Sequence, residues 1–154
     1  MRVVYKVLAY LVAVEVAVQA AVMVFGDAGL GKWVGQGGVL DKTVLESEAS
    51  PFPEVVGFMA HGINGMMVIP VIALLLLISS FFARVPGAVK AAGLVLLLVA
   101  VQVTLGLVGH DIPALGALHG LNALLLFSSA LYAARRDRSA AVPVPAEPRL
   151  GAAG

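Results

Sequence analysis

The 154-residue chain contains no cysteine. Disulfides, thiolate-bound metals, iron–sulfur clusters and covalent attachment of haem through cysteine are therefore excluded. Charge is also scarce: 12% of residues are Asp, Glu, Lys or Arg, and the formal net charge is +1. So small a net charge supplies no general electrostatic reason to bind nucleic acid. No clear small-residue cleavage site follows the first apolar run, which continues to Phe25 and is longer than a usual signal-peptide core. The basic opening "MRVVYK" thus reads as the start of a retained helix.

What is abundant is apolar: 60% of residues are hydrophobic and mean hydropathy is +1.00. That lies outside the range of a soluble domain of this length, and the apolar runs are long enough to cross a bilayer. The spacing predicts an all-α fold, a transmembrane antiparallel four-helix bundle built from two similar helical hairpins. Its spans are expected at about residues 3–25, 55–82, 88–108 and 113–134. An outer loop over 26–54 holds six glycines, and Trp33 and Phe52 are expected at the interface. From Arg135 to the end, "RRDRSAAVPVPAEPRLGAAG" has the composition of a disordered tail.

Orientation follows from the basic residues. With both termini and the 83–87 turn in the cytoplasm, eight of the ten Lys and Arg residues lie on that side, leaving Lys32 and Lys42 outside. The positive-inside rule therefore predicts N-in and C-in, as an integral cell-membrane protein with the long loop outside. Short connections between spans two and three and between three and four favour neighbouring helices.

Two short patterns recur. "VAVQ" stands at 16–19 and again at 99–102, while "HGINGMM" at 61–67 reappears as "HGLNALL" at 119–125. Each half therefore runs glutamine, then His-Gly-x-Asn. His61 and His119 both lie about 9 Å below the outer starts of their helices, at matching depth. His and Asn at i and i+3 share one helix face. Gly62 and Gly120 beside the histidines, with Gly65 and Ala123 a turn on, open space for a flat ligand or for close helix packing.

Two neutral imidazoles from facing helices can ligate haem iron on opposite sides while apolar walls bury the porphyrin. Without cysteine the expected group is haem b, with His61 and His119 as metal ligands. Gln19, Gln102, Asn64 and Asn122 are expected to orient the imidazole Nδ1 protons or to touch the macrocycle. The propionates would reach Lys32, Lys42 or outer backbone amides. The competing use of these residues is zinc or copper held by His61, His119 and His110. No sulfur or clear carboxylate completes a four-ligand zinc site, and His110 beside Asp111 also reads as a solvated turn residue.

Glu15 lies near the middle of span one, where an unpaired charge is expensive and calls for a buried partner or protonation. With Gln19 at i+4 it makes a polar stripe that can relay protons, contact a quinone headgroup or hydrogen-bond another helix. Span three has Leu98 at the matching position. Pro70, nine residues beyond His61, is expected to bend span two.

The stretches "FGDAGLGKW", "FMAHGINGMM" and "VQVTLGLVGHDIPALGALHGLNALLLF" resemble one four-helix half of the haem A synthase family, over roughly residues 15–134. That resemblance implies tandem four-helix bundles with histidine pairs for haem and a quinone-linked or otherwise reductive setting. It matches His61 and His119 to the paired histidines, and Gln102 and Gly106 to the pattern preceding the second one. The chain departs from the family in having one bundle and no cysteine pair in the outer loop. Glu54 stands seven residues before His61, where the family has a closer glutamate, and Gly62 stands where it commonly has arginine. Haem binding carries over better than haem A synthesis. The outline is similar, too, to a four-helix membrane cytochrome b, which implies electron transfer with a quinone or a redox protein. The other readings are a non-enzymatic assembly factor or small transporter, in which the His and Asn residues only join helices, and an enzyme that modifies haem or a quinone.

Overall fold

The computed structural model describes residues 1–47, 50–109 and 111–136. His110 and nearly all of the expected tail lie outside the described residues. Helix α1 spans Arg2–Gly35, and a short α2 follows at Lys42–Glu46, started by the Asp41 carboxylate accepting from the Val44 N–H at 2.9 Å. The next apolar stretch begins with a 3-10 turn, Pro53–Val55, and continues as α3, Val56–Ile63. A π turn over Asn64–Val68 leads into α4, Ile69–Ser80. Helices α5, Ala88–Gly109, and α6, Pro113–Arg135, complete the described fold. Four helical stretches, Arg2–Gly35, Pro53–Ser80, Ala88–Gly109 and Pro113–Arg135, are long and apolar enough to cross a membrane. There is no strand among the described residues.

The π turn has a local cause. Pro70 has no N–H to give to Met66, its normal i−4 acceptor. The chain accommodates the defect one turn earlier, where the Ile69 N–H reaches the Asn64 carbonyl, five residues back. Expected bending at Pro70 thus takes the form of a widened turn directly after His61 and Gly62.

Residues 26–35 correct the boundary of the outer loop, because they continue α1. Glycine inside a helix costs roughly 1 kcal/mol relative to alanine, so Gly26 and Gly29 look like linker residues by propensity. Contact reverses that preference. A Cβ at Gly26 would stand 2.8 Å from the Phe58 ring, and one at Gly57 would stand 2.9 Å from the Gly26 nitrogen. Gly29 leaves room for the Glu54 side chain in the same way. The added helical turns also carry Lys32, 3.6 Å from Glu54, and Trp33, whose ring centre lies 5.6 Å from that of Phe52. Phe52 meets Phe58 edge-on at 6.5 Å and is buried between the two rings.

The best-packed part lies toward the termini. There Tyr5, Val12, Leu76, Val95 and Leu126 are fully buried among alanines such as Ala9, Ala73, Ala92, Ala130 and Ala133. Small side chains let helix backbones approach closely, which gives dispersion contacts where lipid-like surroundings supply no hydrophobic drive. Helix α4 packs on both α1 and α5, and α6 packs on the same two helices, whereas α3 packs chiefly on α1. Among the described residues this buried core has no member between Ala13 and Ile69 or between Val99 and Leu126. The helices are therefore tightly joined at one end and looser at the level of His61 and His119. Their outward faces are apolar, with Val3, Val14, Phe25, Leu97, Leu107 and Leu124 exposed.

Candidate functional site

The two halves build their histidines in the same way. His61, at the end of α3, has Nδ1 3.3 Å from the main-chain oxygen of Gln19 on α1. His119, on α6, has Nδ1 2.9 Å from the main-chain oxygen of Gln102 on α5. A carbonyl oxygen can only accept, so in each bond Nδ1–H is the donor. The neutral ring then carries its lone pair on Nε2, the tautomer required of a metal ligand bound through Nε2. Gln19 and Gln102 thus stand beside the predicted histidines, but through backbone oxygens where side-chain contact was expected. Carbonyl oxygens carry a second lone pair that helical bonding leaves available.

The rings themselves lie together, with centres 6.1 Å apart and planes inclined at 59°. Two metal–imidazole bonds of about 2 Å each, with about 1.1 Å from each nitrogen to its ring centre, together span about 6 Å. The separation of the ring centres therefore matches the length of an imidazole–metal–imidazole bridge. Both histidines are half-buried. A Cβ added at Gly62 or Gly120 would meet nothing within 4 Å, so there is open space at each of these glycines. Gly106 serves the opposite purpose: a Cβ there would stand 3.1 Å from Cε1 and 3.2 Å from Nδ1 of His119. Its absence lets the Nδ1–Cε1 edge of the ring approach α5.

One turn below, the halves diverge. Asn122, 6% exposed, donates through Nδ2 to the Leu98 carbonyl at 2.9 Å and to Gln102 Oε1 at 2.6 Å. Asn64 instead donates to Glu15 Oε2 at 2.7 Å. Glu15 is half-buried on α1, and this bond is the partner that a carboxylate in an apolar helix calls for. The Gln19 amide lies against Gly65, with Oε1 3.1 Å from where its Cβ would be, while Nε2 is buried with no protein partner. Neither asparagine bonds a histidine; both brace the helices that carry the histidines.

His61 and His119 thus meet through their rings with the Gln19 and Gln102 carbonyls behind them, Gly62 and Gly120 follow them in the chain, and Asn64, Asn122 and Glu15 make their bonds one turn further on. Sequence reasoning missed the Leu98 main-chain oxygen and the role of Gly57. An apolar residue carries no signal for its carbonyl, and a lone glycine is ambiguous until its neighbour is known. Among the described residues no three of His, Asp and Glu come together as a group able to hold a bare metal ion. A zinc or copper site of three or more such ligands thus has no support within that part of the chain. Comparison with protein-family models, curated proteins and solved structures finds no match to this chain.

Proposed function

We propose that this chain is an integral membrane protein that holds a single haem b between His61 and His119 and transfers electrons one at a time. In this reading the four long helices cross the bilayer as an antiparallel bundle of two hairpins, with both termini inside and the histidines near the outer leaflet. The observation that carries it is the pair of imidazoles 6.1 Å apart, each held through Nδ1 on the carbonyl of a glutamine. The resemblance to one half of the haem A synthase family points to the same two histidines, and the missing close glutamate speaks for binding without synthesis.

His61 and His119 would hold the haem iron, which would supply reversible one-electron chemistry. The residues of the chain supply the rest. The Gln19 and Gln102 carbonyls fix the ring tautomers and raise the basicity of Nε2. Gly62 and Gly120 leave open space on the helices that carry the histidines. Asn122 pins α6 to α5, and Asn64 pins the second span to α1 through Glu15. Glu15 is the residue we assign to contact with a proton or a quinone headgroup, and the electron partner is a quinone or a redox protein.

An optical spectrum of the detergent-purified protein tests the proposal. Dithionite should produce the sharp α band of low-spin haem b, carbon monoxide should leave it almost unchanged, and His61→Ala or His119→Ala should abolish the bis-histidine signature. Colourless protein from haem-replete cells that takes up no added haem overturns the reading. It would leave the asparagine bonds as simple helix fasteners, the expectation for an assembly factor or small transporter.

A further inference from the structure

At the end of the molecule opposite the histidines, the turn after α4 bounds a concavity of about 670 Å³ lined by Met1, Arg2, Phe81, Phe82, Ala83 and Arg84. Among the described residues its lining contains two guanidinium groups and no carboxylate. Phe81 and Phe82 are 63% and 62% exposed, although they directly follow the apolar helix. Arg84 has φ of 54°, the one positive φ among the described non-glycine residues. Glycine takes that conformation freely and arginine does not. Strain of this kind at a residue with a long charged side chain suggests that the side chain is needed where it points.

The turn is also braced from behind. Arg136 Nε donates to the Pro86 carbonyl at 3.0 Å and Nη1 to the Tyr132 hydroxyl at 2.8 Å. Gly87, with φ of 71°, has no Cβ where the Arg136 guanidinium lies. One arginine thus fixes the turn while another is presented on it. Guanidinium groups bind phosphate oxygens through paired, charge-assisted hydrogen bonds. Exposed phenyl rings that follow an apolar helix gain by burial against acyl carbons.

We propose that this concavity binds the phosphate of an anionic phospholipid, with Arg84 and Arg2 on the phosphate and Phe81 and Phe82 against the glycerol and the first acyl carbons. The site rests on the membrane part of the proposed function and is independent of haem. It requires no empty coordination sphere around Arg2, which already makes another interaction.

Native mass spectrometry of the full chain in detergent provides the test, with phosphatidylglycerol and phosphatidylcholine of the same acyl composition titrated in turn. Phosphatidylglycerol should bind at least about fivefold more tightly, and Arg84→Gly and Arg84→Gln should each reduce that preference by about fivefold, the effect of one basic group near a membrane surface. Arg84→Gly should do so while leaving the thermal midpoint unchanged or higher, because glycine relieves the backbone. Equal binding of the two lipids, or an unaltered preference in both variants, overturns the site. Full displacement of the lipid by millimolar inorganic phosphate assigns the pocket to free phosphate and overturns the lipid. Recovery of the chain in aqueous buffer without detergent would instead overturn the membrane reading itself, an outcome distinct from detergent-extracted protein that shows no lipid preference.

Discussion

The first helical pair, α1 with residues 53–80, and the second, α5 with α6, place a histidine in the same way and then support it differently. In both, Nδ1 meets the main-chain oxygen of a glutamine on the partner helix. In the second pair the asparagine one turn on is closed off by neutral acceptors, Leu98 O and Gln102 Oε1. In the first pair the matching asparagine binds the Glu15 carboxylate, and the Gln19 amide nitrogen is left buried without a partner. The second pair is continuous helix through its histidine, whereas the first is broken by a π turn immediately after its own. Ring placement is thus common to the halves. Charge and backbone irregularity belong to one of them, which makes the first pair the place to seek chemistry beyond ligation.

The strongest way to break the comparison is to remove the room for one ring. Gly106→Val would drive a side chain into His119, whose Cε1 is 3.1 Å from the position of the new Cβ. Haem affinity should fall by about 10–100-fold, as for loss of a group that orients a metal ligand. Residual pigment should bind carbon monoxide, and a spectrum identical to that of the parent would count against close packing of His119 on Gly106.

Asn122→Ala should have the next largest effect. It removes a buried side chain and leaves Gln102 Oε1 without its amide donor, at a cost of about 1–3 kcal/mol. Thermal unfolding in detergent measures this, and Asn64→Ala should cost less because Asn64, unlike Asn122, is only half-buried. A larger loss at Asn64 would reverse the ranking of the two pairs.

The smallest expected effect sharpens the comparison most. Glu15→Leu gives the first pair the residue that the second has at Leu98. In a double-mutant cycle with Asn64→Ala the coupling should be about 1 kcal/mol, the scale of a hydrogen bond between membrane helices. The bis-histidine spectrum should survive in Glu15→Leu, and its loss would show that Glu15 supports ligation after all.

Much of this was legible in the chain. Four apolar stretches were located within a few residues at most of their ends, because hydrophobic length is a property of the sequence alone. The histidine pair was found through repetition, since His-Gly-x-Asn after a glutamine occurs twice. The continuation of α1 through residues 26–35 was not legible. Gly26 and Gly29 are poor helix formers in isolation and become necessary only against Phe58 and Glu54. The bond from Asn64 to Glu15 joins residues 49 apart, a pairing that no local pattern encodes.

By itself the sequence determined that the chain is helical and apolar, without thiol chemistry, and that a histidine motif occurs twice in similar settings. Periodicity, composition and repetition are local or additive quantities, and a single chain displays them. Tertiary structure alone decided that the two rings lie 6.1 Å apart. It also decided that their partners are main-chain oxygens and that Glu15 has an asparagine to itself. Every residue has a carbonyl, so no residue type announces which one will be used. That choice depends on which helix faces meet, and close packing of glycine and alanine sets those faces.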